Sequence, residues 1–331
     1  FQSPEINNIG FFTGIKDATV KNLTVSGNMK GQDNIGLLAG YPKGSTVFEN
    51  CFVGAGSSIS GNNYVGGLIG RAEYGISVID CENNAASVSG AGTVGGIVGI
   101  LMAKPEQAEQ VAYVRNCISR AAVNTTGTNA AANYAGGITG RIEAGTAILN
   151  CENFGTVSGK YQYAGGITGY MDTLASVSDC KNNAAITALS QQYVGGIAGA
   201  AAEDCNFTGC INEAGGTILN GTYAGGILGF TPGSASFTDC KNNAAITGNG
   251  QHIGGILGGA FKTIATALIR FSNCENSGAI TSSSSNVGGI AGTVGNSYNV
   301  YFTAQFENCT NNGPVSGTYY VAGIMGQGSY S

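Results

Sequence analysis

The chain has 331 residues, 56 of them glycine, with no tryptophan, a single histidine and a net charge of −5. Its glycines fall in pairs and not at every third position, which excludes collagen, and a mean hydropathy of +0.09 with sparse charge excludes a disordered chain. The acidic balance without clustered Lys or Arg excludes a nucleic-acid surface, and no apolar run reaches the roughly 18 residues of a membrane span.

The first stretch, FQSPEINN, carries neither a signal peptide nor an acylation motif and reads as the start of a piece excised from a longer exported protein. A glycine phrase then begins and returns along the whole chain. It is IGFFTG at Gly10 and IGLLAG at Gly36, then YVGGLIG at Gly66, and it recurs at Gly95, Gly136, Gly165, Gly195, Gly225, Gly254, Gly288 and, with alanine, Ala322. Eleven copies about 30 residues apart leave no boundary inside, so residues 1–331 read as one repeat domain.

Two further signals keep the same register. A cysteine follows most blocks by about 15 residues, from Cys51 through Cys81, Cys117, Cys151, Cys180, Cys210, Cys240 and Cys274 to Cys309, with Leu23 in that slot of the first copy. An apolar residue stands three before each, ending in the run Phe207, Phe237, Phe271, Phe306. The last signal is a β-branched pair such as Val25-Ser26, Ile59-Ser60 or Ile246-Thr247. Three short β-prone segments per repeat, with no helical periodicity between them, predict an all-β chain. The expected fold is a parallel β-helix, a solenoid of about eleven coils with three short strands each. Stacked about 4.8 Å apart, the coils would make a rod of roughly 50 Å in which each slot is a column of like residues. The four phenylalanines should then pile up inside. The glycine phrase reads as a corner and a strand, glycine serving both for unusual backbone angles and for close approach of neighbouring backbone.

The columns also sort the candidates for chemistry. Nine cysteines share one slot with Leu23, so the expectation is packing of free thiols, with Cys205 outside the column. No Cys-x-x-Cys or His-rich set suggests a metal, and no cofactor is expected. The residues before the Cys slot (Asn22, Asn50, Asp80 and their successors) and those two after it (Asn83, Asn153, Asn182 and onward) read as asparagine ladders that satisfy turns. Glu152 with Lys181, and Lys241 with Glu275, should face each other across coils. Tyr134, Tyr163, Tyr193 and Tyr223 occupy one slot in four consecutive coils, with Tyr64 before and His252 after; this row reads either as a platform for sugars or as a structural aromatic column. Catalysis has little to build on: one histidine, and Glu203-Asp204 as the nearest approach to a carboxylate pair.

Insertions leave the rod at Leu101–Ala112, Gly259–Ile269 and Gly295–Ala304, the last two in neighbouring coils. They carry Phe261, Leu268, Tyr298, Tyr301 and Phe302, and read either as a binding face or as a shield for the rod. Ser119–Asn133 reads as a plain polar loop.

The recurring pattern of a glycine pair, a cysteine preceded by Asn or Asp, and Val-Ser-Gly resembles the GLUG-repeat family of bacterial exported proteins over nearly the whole chain. That resemblance implies a right-handed parallel β-helix on a surface or secreted protein, adhesin-like or beside immunoglobulin-A-protease-type peptidases, in a Gram-negative bacterium. It carries over no catalytic residues. The expected function is a non-enzymatic surface or secreted rod, an adhesin-like binding or stalk module whose partners are glycans or host surface proteins. The alternative is a polysaccharide-acting enzyme or a carbohydrate-binding module of β-helical form.

Overall fold

A computed structural model describes residues 5–103, 112–127, 133–188, 193–261, 267–295 and 302–328. The described residues form a parallel β-solenoid without helix, built of four sheets of ten strands and a fifth of nine. Every pairing is parallel and joins a strand to its counterpart one coil away, as in Val47↔Ser77↔Tyr113. The columns expected from the sequence therefore exist.

Two details differ from expectation. Among the described residues every coil after the first has five strands, not three. In the coil from residue 47 they are Val47–Glu49, Phe52–Val53, Ser58–Ser60, Asn63–Gly66 and Ile69–Ala72. The sequence shows three because two of its signals each hide a corner: Asn50-Cys51 splits the cysteine segment, and Gly67-Leu68 splits the glycine phrase. There are also nine five-stranded coils and a first coil with four strands, not eleven. Around Gly10 the chain makes only isolated bridges, among them Ile9↔Ile35 and Phe12↔Ala39. Ser119–Asn133 is not a plain loop either, for Ala122–Thr125 is a strand of the third sheet.

The corners explain the repeated letters. All ten residues before the Cys slot, from Asn22 to Asn308, have left-handed φ, between 48° and 61°. Asn, Asp and Gly reach that region at least cost, and a branched residue there would strain the turn. The glycine pair has a different reason, since neither Gly66 nor Gly67 is left-handed. A Cβ on Gly66 would run into the Ile69 carbonyl, and one on Gly67 into Asn83 and the Gly96 carbonyl of the next coil. Close approach alone demands glycine here.

Inside, one continuous apolar core runs the length of the rod. Phe207, Phe237, Phe271 and Phe306 stack with ring centroids 5.2, 5.1 and 4.8 Å apart and planes within 9°. The ten cysteines are free thiols, all buried except the half-buried Cys309. Column thiols donate weakly to nearby carbonyls, as Cys81 does to Ile79 at 3.1 Å, and burial pushes those of Cys117 and Cys151 well above the ordinary thiol range. Cys205, off the column, points its thiol at the Asp172 carbonyl, 3.1 Å away.

The second asparagine slot is a buried ladder. From Asn153 through Asn182, Asn212, Asn242 and Asn276 to Asn311, each Nδ2 donates to the next Oδ1 at 2.7–2.9 Å. Each such bond adds about 0.5–1.5 kcal/mol net, and losing a buried partner costs more. Ser119 interrupts the series between Asn83 and Asn153, and its hydroxyl has no partner among the described residues. The expected charge pairs form as well, Lys181 with Glu152 at 3.9 Å and Lys241 with Glu275 at 3.4 Å.

Candidate functional site

The outer side of the third sheet carries mainly short polar side chains, such as Ser60, Ser89, Ser158 and Thr187. One flank departs from this, the outer side of the fourth and fifth sheets. Pairing sets Tyr134, Tyr163, Tyr193, Tyr223 and His252 in one row of the fourth sheet. Their centroids lie 5.0, 5.3, 5.0 and 4.6 Å apart, with planes within 29°. A second row on the fifth sheet runs Arg71, Ile100, Arg141, Tyr170, Ala200, Phe230 and Gly259. Tyr170 packs against Tyr134 and Tyr163 at 5.7 and 5.4 Å, and Phe230 against Tyr193 and Tyr223 at 4.8 and 5.2 Å. Gly259 leaves the second row open, and Phe261 closes it by packing on Phe230, His252 and Tyr223.

This geometry limits what the row offers. Each inner tyrosine has both ring faces turned to its neighbours, so its accessible parts are the ring edge and the phenol end. The rings are half-buried. Burial raises Tyr163, Tyr193 and Tyr223 above the usual phenol value and pushes Tyr170 up to about 12. It also lowers His252 to about 4, so the ring is neutral at pH 7, with Nδ1 2.8 Å from the Thr293 hydroxyl.

Toward the first coils the same flank becomes charged. Glu73 takes Arg71 Nη2 at 3.1 Å, Lys43 Nζ at 3.4 Å and the Tyr41 hydroxyl. Lys43 and Arg71 lie over the Tyr41 ring at 3.1 and 4.7 Å. Arg141 pairs with Asp172 at 3.0 Å and lies 5.8 and 5.6 Å from the Tyr134 and Tyr170 rings. Burial raises the carboxyls of Glu73 and Glu143.

Of the residues singled out from the sequence, Tyr134, Tyr163, Tyr193, Tyr223 and Phe261 thus come together. Tyr298 and Tyr301 lie outside the described residues, as does the side chain of Phe302, whose backbone opens the strand Phe302–Glu307. Sequence reasoning missed Tyr170, Phe230 and the charged set. Their signal was available: Arg71, Arg141, Tyr170 and Phe230 all stand five residues after the first glycine of their block, and Glu73, Glu143 and Asp172 seven after it.

Among the described residues no group of three or more His, Cys, Asp or Glu is placed to hold a metal ion, and no helix is long and apolar enough to cross a membrane. No curated protein and no solved structure matches the chain. The family model described as the GLUG motif matches residues 61–89. That span is one turn of the solenoid, from Gly61 through the glycine pair and Cys81 to Ser89. The chain is therefore a carrier of the GLUG motif; the cysteine slot of the matched turn recurs on either side, at Cys51 and Cys117, and its glycine pair recurs in the next turn, at Gly95-Gly96.

Proposed function

We propose that the chain is a non-enzymatic rod on the surface of a Gram-negative bacterium or secreted by it, wound right-handed, and acting as an adhesin-like binding or stalk module. The observation that supports a binding role is the aromatic flank. Buried columns serve the stability of the rod, but a double row of half-buried rings is more apolar surface than a plain stalk needs to expose. Its phenol ends and ring edges, flanked by the Arg–carboxylate pairs, suit hydroxyl-rich ligands such as glycans, with host surface proteins as the other partner class. A panel of host and plant glycans tests this with the wild-type chain and the double variant Tyr163→Ala, Tyr193→Ala. Retention is expected for wild type and a loss for the variant; equal retention overturns the role of the row.

One observation favours the alternative, a polysaccharide-acting enzyme. Glu143 and Asp172 follow paired strands in adjacent coils beside Arg141; burial raises the Glu143 carboxyl, and Arg141 Nη2 lies 3.0 Å from Asp172 Oδ2. Release of reducing ends from a glycan panel, abolished by Glu143→Gln, would establish it.

A further inference from the structure

Around the corner from the tyrosine row, the first sheet carries a groove on its outer side. A cavity of about 200 Å³ is lined by Leu174, Asp204, Asn206, Ser236, Leu268 and Arg270 among others. It continues past Leu268 toward Thr303 and Gln305 into a second space of about 460 Å³.

Three observations mark this groove as a built feature. The outward position of the first sheet changes character along the rod. The first five coils mix Thr19, Val47, Ser77, Tyr113 and Ala147 there, whereas the five later coils place only polar residues, Ser176, Asn206, Ser236, Arg270 and Gln305. A hydroxyl, amide or guanidinium thus recurs once per coil. Next, internal hydrogen bonds hold the floor: Ser236 Oγ donates to Asn206 Oδ1 at 2.5 Å and the Leu268 amide to Ser234 Oγ at 3.3 Å. Finally, Leu174 stands at the rim, 63% exposed, with φ of 61°. Gly75, Gly145 and Asp204 take the same left-handed corner in other coils, and where those coils place residues that reach it at least cost, this coil places leucine and gives the groove an apolar rim.

We infer that this groove binds a neutral, hydroxyl-rich chain, a segment of oligosaccharide lying along the rod axis. A hydroxyl both donates and accepts, so adjacent hydroxyls can donate to the Asp204 carboxylate and accept from the Arg270 guanidinium, while the Asn206 amide takes either role and Ser236, its proton given to Asn206, accepts. A ligand of one charge would meet its like in Asp204 or Arg270. Leu174 and Leu268 give the C–H edges of a sugar ring an apolar margin. Recurrence of the polar groups at the coil spacing, about 4.8 Å, suits a polymer better than a compact molecule. The ligand class rests on the binding-rod reading; the site is independent of the tyrosine row.

Retention of the purified chain on immobilised neutral and uronic-acid oligosaccharides tests the inference. Compared with wild type are Ser236→Tyr, which fills the groove, the double variant Asp204→Asn, Arg270→Gln, and the row variant Tyr163→Ala, Tyr193→Ala. Wild type is expected to retain a neutral oligosaccharide, and both groove variants to bind it at least tenfold more weakly with unchanged circular dichroism and melting temperature. Should Ser236→Tyr fail to fold, the Asp204, Arg270 variant carries the test alone. Full retention by the groove variants, or preference for uronic acids, overturns the groove. Loss in the row variant alone sinks the groove and leaves the rod reading standing; loss in the groove variants alone does the reverse for the row.

Discussion

Two aromatic columns run along this rod, and they differ in one respect. Phe207, Phe237 and Phe271 stack inside, fully buried or nearly so, with planes within 9°. Tyr134 to Tyr223 stack outside at nearly the same 5.0–5.3 Å spacing, half-buried, with planes up to 29° apart. The spacing is a consequence of the coil and says nothing of purpose. Burial separates them: the inner column lies wholly within the core, whereas the outer one leaves apolar surface toward solvent. Repetition in a sequence is thus evidence of a column, and only the side on which it falls is evidence of function.

Substitutions can break or sharpen this comparison. The largest effect is expected for Phe237→Ala, which opens a hole between two stacked rings and should cost about 3–5 kcal/mol in chemical denaturation. Asn212→Ala comes next, because it takes one of two partners each from Asn182 Nδ2 and Asn242 Oδ1 in the core, leaving the bonds to the Ala184 carbonyl and from the Ala244 amide. A loss of about 1–3 kcal/mol is expected, and a loss under half of that would remove the ladder from the account. Smaller again is a pH effect in the outer column. Burial holds His252 at about 4, below its ordinary 6.5, so the folded state prefers the neutral ring. That contribution is complete above pH 6.5 and is lost as pH falls through about 4. His252→Tyr, which restores the letter of the row, should flatten the melting temperature over this window; an unchanged profile would place the titration elsewhere. Glu73 and Glu143 run the other way, raised by burial, so their share of stability is present at low pH and fades as pH rises through their folded values. The least effect is expected for Lys241→Ala, about 0–1 kcal/mol, since its ion pair with Glu275 is exposed.

The fold was legible because each structural demand falls at a fixed offset in the repeat. The left-handed corner demands Asn, Asp or Gly, the crowded corner demands glycine, and of two inner slots one takes Cys and the other Val, Ile or Phe. Five strands were not legible, since two-residue strands such as Phe52–Val53 and Glu82–Asn83 have no period to read. The tyrosine row was visible as letters, but its ring orientation was not, because stacking depends on side-chain torsions. Arg71, Arg141 and the carboxylates were obscured because Ile100 and Met102 interrupt their rows. The groove around Leu174 joins residues whose shared surface exists only once the coils are wound.

Melting temperature and glycan retention, measured together for Phe237→Leu and for the fourfold variant Tyr134→Phe, Tyr163→Phe, Tyr193→Phe, Tyr223→Phe, test the division of labour most directly. The account predicts a lowered melting temperature with intact retention in the first, and a nearly unchanged melting temperature with weakened retention in the second. If removing the four hydroxyls leaves retention untouched while destabilising the rod as much as the core change does, the outer column is structure alone.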